Sequence, residues 1–233
     1  MKSNNRIFIY SILLILPIML TLSCSKKESI NPNLVKDVDG NIYRTVTIGT
    51  QTWMEENLKT TRYNDSTLIS NVTDNTAWGN LTSGAYCWYN NDFNASKDYG
   101  ALYNWYAVNK GKLAPKGWHV PSENEWKTLA DYLGGVAIAA GKLKESGILH
   151  WQGVGSPDVT NVTGFTALPG GFRINIDGSF ADLGGMGFWW CSSATGTSSN
   201  NMQAIIMSLD SIGLLNQGYW PLTTGFSVRC IKN

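Results

Sequence analysis

The stretch from 117 to 135, GWHVPSENEWKTLADYLGG, decides the fold class. Ser122 followed three residues later by Glu125 forms a capping box, in which each residue satisfies a backbone N–H that the first helical turn leaves open. Trp126, Leu129, Ala130 and Leu133 then fall at i, i+3, i+4 and i+7, an apolar stripe on one helical face, and Gly134-Gly135 stops the helix. Working outward, Tyr99 to Val108 (YGALYNWYAV) places Leu102, Trp105 and Tyr106 at i, i+3, i+4 with Tyr99 one turn earlier, which predicts another helical face. Ala137 to Ser146 reads as a further short helix, weakened by Gly141. Val35 to Ile48 alternates around Asp39-Gly40, a hairpin signal because Gly accepts the positive φ that a tight turn requires. Gln51 to Leu58 reads as a strand ending in a turn, and Ser66 to Asn80 is polar with Trp78 isolated.

Beyond Trp151 the texture changes to short β-runs divided by Gly, Ser and Asn: Gly164 to Leu168, Gly170 to Ile176, Gly187 to Ser192, Gln203 to Leu209 and Gly225 to Ile231. Such runs indicate antiparallel strands with long loops and not βαβ units. The fold class is therefore α+β, with short helices packed on antiparallel strands and long Gly/Asn/Trp-rich loops. No 20 to 50-residue period marks a solenoid or propeller.

Composition bounds the function. The chain has 233 residues, a formal net charge of +1, 15% charged and 12% aromatic residues, 24 Gly, 10 Trp and 2 His. The aromatic content excludes a disordered chain. Near-neutral charge without a basic cluster in the folded part argues against nucleic acid, whose phosphates demand a concentrated cationic face. Two histidines cannot build a three-His metal centre, though either could serve as a base.

Lys2 and Arg6 precede an apolar run, Ile7 to Leu22, that ends in Ser23-Cys24. The run is shorter than the ~20 residues of a spanning helix and contains Pro17, so it reads as an export signal. A small residue directly before Cys at its end resembles a bacterial lipoprotein signal, in which Cys24 becomes the first mature residue and carries the lipid. The expected organisation is a signal peptide over 1–23, a lipidated Cys24 with a polar tether over 24–34, and one domain over 35–233. The membrane is then a partner through Cys24, and the bacterial cell envelope, at the outer membrane, is the location. Cys87, Cys191 and Cys230 remain, and export predicts one disulfide and one thiol among them, with the pair left open. None shares a C-x-x-C spacing, so a metal site is not indicated.

Several residues could carry chemistry. His119 beside Trp118 could act as a base or a ligand-stacking pair. The ordinary alternative has Trp118 under the helix start and His119 bonded to a backbone carbonyl, and His150-Trp151 is open to the same two readings. Trp88-Tyr89-Asn90-Asn91-Asp92 could stack on a sugar, bond its hydroxyls or give oxygens to calcium, or could be an Asn/Asp turn after a strand. Trp189 and Trp190 point to opposite faces of a strand, so in a one-sided sheet only one of them reaches the core and the other meets solvent or a ligand, whereas a two-sided core takes both. Asp37, Asp39 and Asn41 mimic a calcium-loop start, but Ile42 stands where that loop has Gly and no Glu closes it. Gly164 to Arg173 has no capped helix after its glycines and reads as a turn, and no nucleophile-elbow, zinc-protease or nucleotide-binding pattern occurs.

The ordered segments DVDGNIY, IGTQTWMEENL, GAYCWYNND, YGALYNWYAV, GWHVPSENEW, GFTALPGGFR, FWWCSS and GFSVRCIKN resemble the Fibrobacter succinogenes major paralogous domain, found in exported and lipidated bacterial surface proteins. The resemblance spans Val35 to Asn233 and implies a family without an established activity. HVPSENEW and GFSVRC are also similar to motifs of the formylglycine-generating enzyme superfamily, which implies a C-type-lectin-like fold. Activity is not implied, because the closely spaced copper-binding Cys pair and the lectin calcium motifs are missing. The family resemblance implies a Cys87–Cys230 disulfide, with Cys191 as the odd thiol. The expected function is a non-enzymatic, lipid-anchored envelope module that binds a glycan or a surface protein, with no cofactor. The alternatives are an envelope hydrolase and a purely structural envelope protein. The candidate ligand-binding residues are Trp88, Tyr89, Asn90, Asn91, Asp92, Trp118, His119, Trp189 and Trp190.

Overall fold

The computed structural model describes residues 31, 33–152, 159–193, 201–208 and 218–233, with 201–208 and 218–219 described by their backbone alone. The leader over 1–23 and Cys24 lie outside the described residues. In chain order the elements are β1 (Leu34–Lys36), β2 (Ile42–Ile48), β3 (Gln51–Met54), β4 (Ser70–Asn71), α1 (Asn75–Gly79), β5 (Ala85–Cys87), α2 (Phe93–Ser96), β6 (Leu102–Tyr103), α3 (Trp105–Asn109), β7 (Trp118–His119), α4 (Glu123–Tyr132) and α5 (Val136–Leu143). The second half supplies β8 (Gly170–Arg173), β9 (Phe180–Leu183), β10 (Met186–Trp190), β11 (Asn201–Ser208), β12 (Gly218–Pro221) and β13 (Ile231–Lys232).

The fold is α+β. One sheet runs β1-β2-β3-β13-β7, a second β12-β11-β10-β8-β9 and a third β4-β5-β6. Pairing is antiparallel except between β4 and β5 and between β8 and β10. The first sheet brings the last strand back among early ones, since β13 sits between β3 and β7 with Ile231 opposite both Trp53 and His119.

Local chemistry explains the elements. Between β1 and β2, Gly40 takes a φ of +91°, and the Asp37 carboxylate accepts from the backbone N–H groups of Asp39 and Asn41 at 3.0 and 2.9 Å. Its second oxygen takes the Tyr43 hydroxyl at 2.6 Å and the Asn41 amide at 2.8 Å. The calcium-like residues are thus committed to an Asx-type turn. Helix α4 carries the capping box as read, with Ser122 and Glu125 satisfying each other's backbone and Trp126, Leu129 and Ala130 buried. Gly135 donates back to the Ala130 carbonyl at 2.8 Å, which ends the helix.

Tyr99 to Val108 departs from its predicted helix. Leu102 and Tyr103 are drawn into β6 by pairing with β5, and the helix starts only at Trp105. Asn104 makes that break. Fully buried, it accepts from the N–H groups of both Ala85 and Ala107 and donates to the Ser83 carbonyl, so strand and cap use one side chain. Gly164 to Leu168 contributes only a bridge between Ala167 and Lys144, and of Gly225 to Ile231 only Ile231 joins a ladder strand.

The centre of the molecule is β10. Phe188 and Trp190 enter a cluster with Tyr103, Trp105 and Phe226, whereas Trp189 enters another with Trp53, Trp126, Leu129 and Phe165. The sheet is covered on both faces, so the alternation of side chains leaves neither Trp in solvent. Gly187 is required there, because a Cβ would lie 2.3 Å from the Trp189 ring and 2.9 Å from the Leu168 carbonyl oxygen. Among the described residues no helix is long and apolar enough to cross a membrane.

Candidate functional site

Three segments meet around a cleft of about 500 Å³ lined by Asp39, Asn41, Lys59, Thr61, Trp88, Phe93, Lys97 and Asp98. The first wall is the β1–β2 turn. The second follows β3, where the Lys59 N–H donates to the Tyr43 hydroxyl at 2.9 Å and fixes the backbone. The third is the loop after β5. Trp88 leads into a 3-10 turn, Tyr89–Asn91, in which Asn90 and Asn91 adopt φ of 52° and 57°, a region Asn tolerates better than most residues. Asp92 then caps α2, accepting from the Asn94 and Ala95 N–H groups at 2.9 and 3.1 Å.

This geometry separates the residues that GAYCWYNND offered as ligand groups. Asn90 to Asp92 serve the turn, and Asn91 also donates to the Thr73 carbonyl at 3.1 Å. Tyr89 is half-buried against Phe180 with ring centroids 5.2 Å apart. Trp88 is only 8% exposed, but it lines the cleft and meets the edge of Phe93, 51% exposed, with centroids 4.8 Å apart and planes at 77°. Phe93 is the accessible aromatic of the site, and sequence reasoning did not single it out. No local signal marked it, since Phe93 follows the cap Asp92 just as buried Trp105 follows the cap Asn104.

The charged groups of the cleft differ in their freedom. Asp39 accepts from the Thr60 hydroxyl at 3.1 Å and from the Thr61 N–H and hydroxyl, and lies 3.2 Å from the Arg62 guanidinium. Burial pushes its carboxyl up, but these hydrogen bonds and Arg62 outweigh that and hold it below the ordinary aspartate value. The side chains of Lys59, Lys97 and Asp98 make no hydrogen bond or ion pair among the described residues.

The other candidates resolve differently. Trp189 and Trp190 are 0% exposed, so of the alternatives left open for the pair it is the two-sided core that holds, and neither ring is accessible to a ligand. Their indole N–H groups donate inward, to Asn57 Oδ1 and the Tyr103 carbonyl, each at 2.8 Å. Trp118 is half-buried against the larger cluster. His119 does not bond a backbone carbonyl. Its Nε2 lies 2.8 Å from Glu125 Oε1 and its Nδ1 lies 2.8 Å from Asn233 Oδ1. Ser122 Oγ donates to Glu125 and not to the imidazole. His150 pairs with Glu145 at 2.8 Å and meets the Tyr99 ring edge. Among the described residues neither imidazole hydrogen-bonds a serine, threonine or cysteine side chain. No three His, Cys, Asp or Glu side chains come together as metal ligands among those residues.

The implied Cys87–Cys230 disulfide is also corrected. Cys87, Cys191 and Cys230 are free, buried thiols. Cys87 packs with Trp78, Ala85 and Leu102, while Cys230 belongs to the separate cluster of Tyr43, Met54 and Val228. Burial pushes the Cys87 thiol up to about 12 and raises Cys191 and Cys230 as well, which keeps all three protonated and unreactive at neutral pH.

A sheet that sets the last strand between β3 and β7, a two-sided aromatic core and a loop-lined cleft define a small α+β module. This chain belongs to the Fibrobacter succinogenes major domain family, whose model matches residues 46–232. No curated protein and no solved structure matches it.

Proposed function

We propose that this protein is a non-enzymatic, lipid-anchored module of the bacterial cell envelope, held at the outer membrane through Cys24, that binds a glycan in the cleft between the β1–β2 turn and the Trp88 to Asp98 loop. The observation that carries the reading is the exposed Phe93 edge-on to Trp88, beside Lys59, Lys97 and Asp98, side chains free to bond a ligand. Aromatic faces stack on the C–H faces of sugars while charged and amide groups bond hydroxyls, and such sites combine an apolar wall with a few polar groups. Lipidation is supported by Lys2, Arg6, the apolar run to Leu22 and Ser23-Cys24. The reading as a non-enzyme is supported by the wiring of His119 and His150 to carboxylates and amides alone.

The C-type-lectin-like character of the fold belongs to the same proposal. HVPSENEW and GFSVRC are the segments that suggest it, and the first pairs with the strand that directly follows the second, His119 on β7 facing Ile231 on β13. A second reading, a structural envelope protein, draws support from the burial of Trp88, Trp189 and Trp190.

The test is a polysaccharide panel probed with the full chain in detergent micelles, with and without calcium. The glycan reading expects binding that Phe93→Ala weakens by up to about tenfold. Silence across the panel favours the structural reading. Incorporation of labelled palmitate that is lost in Cys24→Ala checks the anchor.

A further inference from the structure

Taking the glycan reading as its base, we propose that the cleft selects anionic glycans, the ligand being a polysaccharide of uronic acids whose carboxylates meet Lys59 and Lys97 while the sugar ring lies on Phe93. The inference follows from which polar groups of the cleft are still free. Asp39 is engaged by Thr60, Thr61 and Arg62, and the guanidinium offsets its charge. Asn41 is engaged by Asp37, to which it donates both its backbone N–H and its amide. The Thr61 hydroxyl is engaged by Asp39. What remains is two ammonium groups, Lys59 and Lys97, against one carboxylate, Asp98. A neutral sugar would leave that excess cation unanswered, whereas a uronate answers it at each residue of the polymer. Lysine is a compact point charge on a flexible stem, so it suits a carboxylate that recurs along a chain better than one fixed bidentate geometry.

The probes are polygalacturonate, the same polymer fully methyl-esterified, dextran and poly-glutamate, each titrated into the full chain in micelles at low and at physiological salt. Esterification removes the charge and keeps the rings. The expected result is binding to polygalacturonate that weakens as salt rises, with at least tenfold weaker binding to the methyl ester and to dextran. Lys59→Gln and Lys97→Gln each lower affinity for the acid form by about three- to fivefold and lower ester binding by less. Asp98→Asn raises affinity for the acid form, because it removes the carboxylate that repels the ligand. Among the described residues none of the three side chains makes a hydrogen bond or ion pair, so these substitutions remove no such contact from the fold. Equal binding of acid and ester overturns the anionic selectivity and leaves the glycan reading standing. Poly-glutamate binding as tightly as polygalacturonate overturns the claim that the sugar ring matters. Binding to no polysaccharide overturns both.

Discussion

Trp189 and Trp190 on β10 and the Trp88–Phe93 pair on the β5–α2 loop share the same chemistry and have opposite fates. The β10 pair is sealed by layers on both faces, α4 with Phe165 on one side and Tyr103 with Phe226 on the other, and each indole N–H is satisfied internally. The loop pair has a wall on one side only. Trp88 is covered by its neighbours, and Phe93 closes against it edge-on while half of its surface stays in water. An aromatic residue is therefore informative about function only once the number of layers around it is known. The β10 region is sealed on both faces, and the loop region leaves an aromatic ring open to solvent.

The inertness of the centre is the contrast most easily broken. In the native chain, alkylation of Cys87, Cys191 and Cys230 by iodoacetamide, read by mass spectrometry of the three peptides, is expected to be slower than in urea by more than about a hundredfold. Rapid native labelling, or a disulfide-linked peptide pair, would show that the thiols are not sealed as the clusters require. Next in size is Trp190→Ala. Removing a fully buried ring that bonds Tyr103 and packs on Phe226 is expected to cost about 3–5 kcal/mol in urea unfolding, while an effect near 1 kcal/mol would mean that the site collapses around the loss.

How much of this was legible depends on how local each cause is. The α4 cap and stripe and the Asp39-Gly40 hairpin were readable because a capping box, a heptad-like spacing and a turn glycine act within about ten residues. The start of α3 was not, because Asn104 serves Ala85 nineteen positions away as well as Ala107, and that pairing overrides the helical spacing of Tyr99 to Tyr106. The fate of Trp189 and Trp190 was half legible. Strand alternation gave the two directions, but the second layer comes from distant segments. Glu125 as the partner of His119 stood six residues away in plain sight, whereas Asn233, 114 positions on, did not. The cleft was least legible of all, since Asp39, Lys59 and Phe93 come from three segments, and only Trp88 and the loop around it had been marked.

Smaller effects test α4, which forms one of the layers that seal β10. Ser122→Ala removes the cap hydroxyl and its bond to Glu125, and is expected to cost about 1 kcal/mol, measured by urea unfolding at neutral pH. Acid acts on the same box. Burial raises the Glu125 carboxyl, but hydrogen bonds from the Ser122 N–H and hydroxyl and from His119 prevail and hold it below its ordinary 4.5. A carboxyl lowered in the folded state contributes stability that is complete above about 4.5 and is lost as pH falls through its folded value. Glu125→Gln is therefore expected to flatten the fall in stability between neutral pH and acid. Part of that fall persists, because Asp39, Asp65 and Asp177 are also held low. An unchanged acid slope in Glu125→Gln would mean that the box is not closed in solution.

The smallest effect on stability belongs to Phe93→Ala, and that smallness is its point. A ring 51% exposed on a four-residue helix, touching chiefly Trp88, is expected to change unfolding free energy by no more than about 0.5 to 1 kcal/mol. Loss of the same ring from a stacking site would weaken a sugar ligand by up to about tenfold. A residue that matters little to the fold and much to the ligand separates the two regions in one variant, provided both unfolding and glycan titration are measured on the same preparation. Were Phe93→Ala to destabilise the chain as Trp190→Ala does, the loop would be an extension of the core, and the cleft would lose its claim to be a separate, ligand-facing surface.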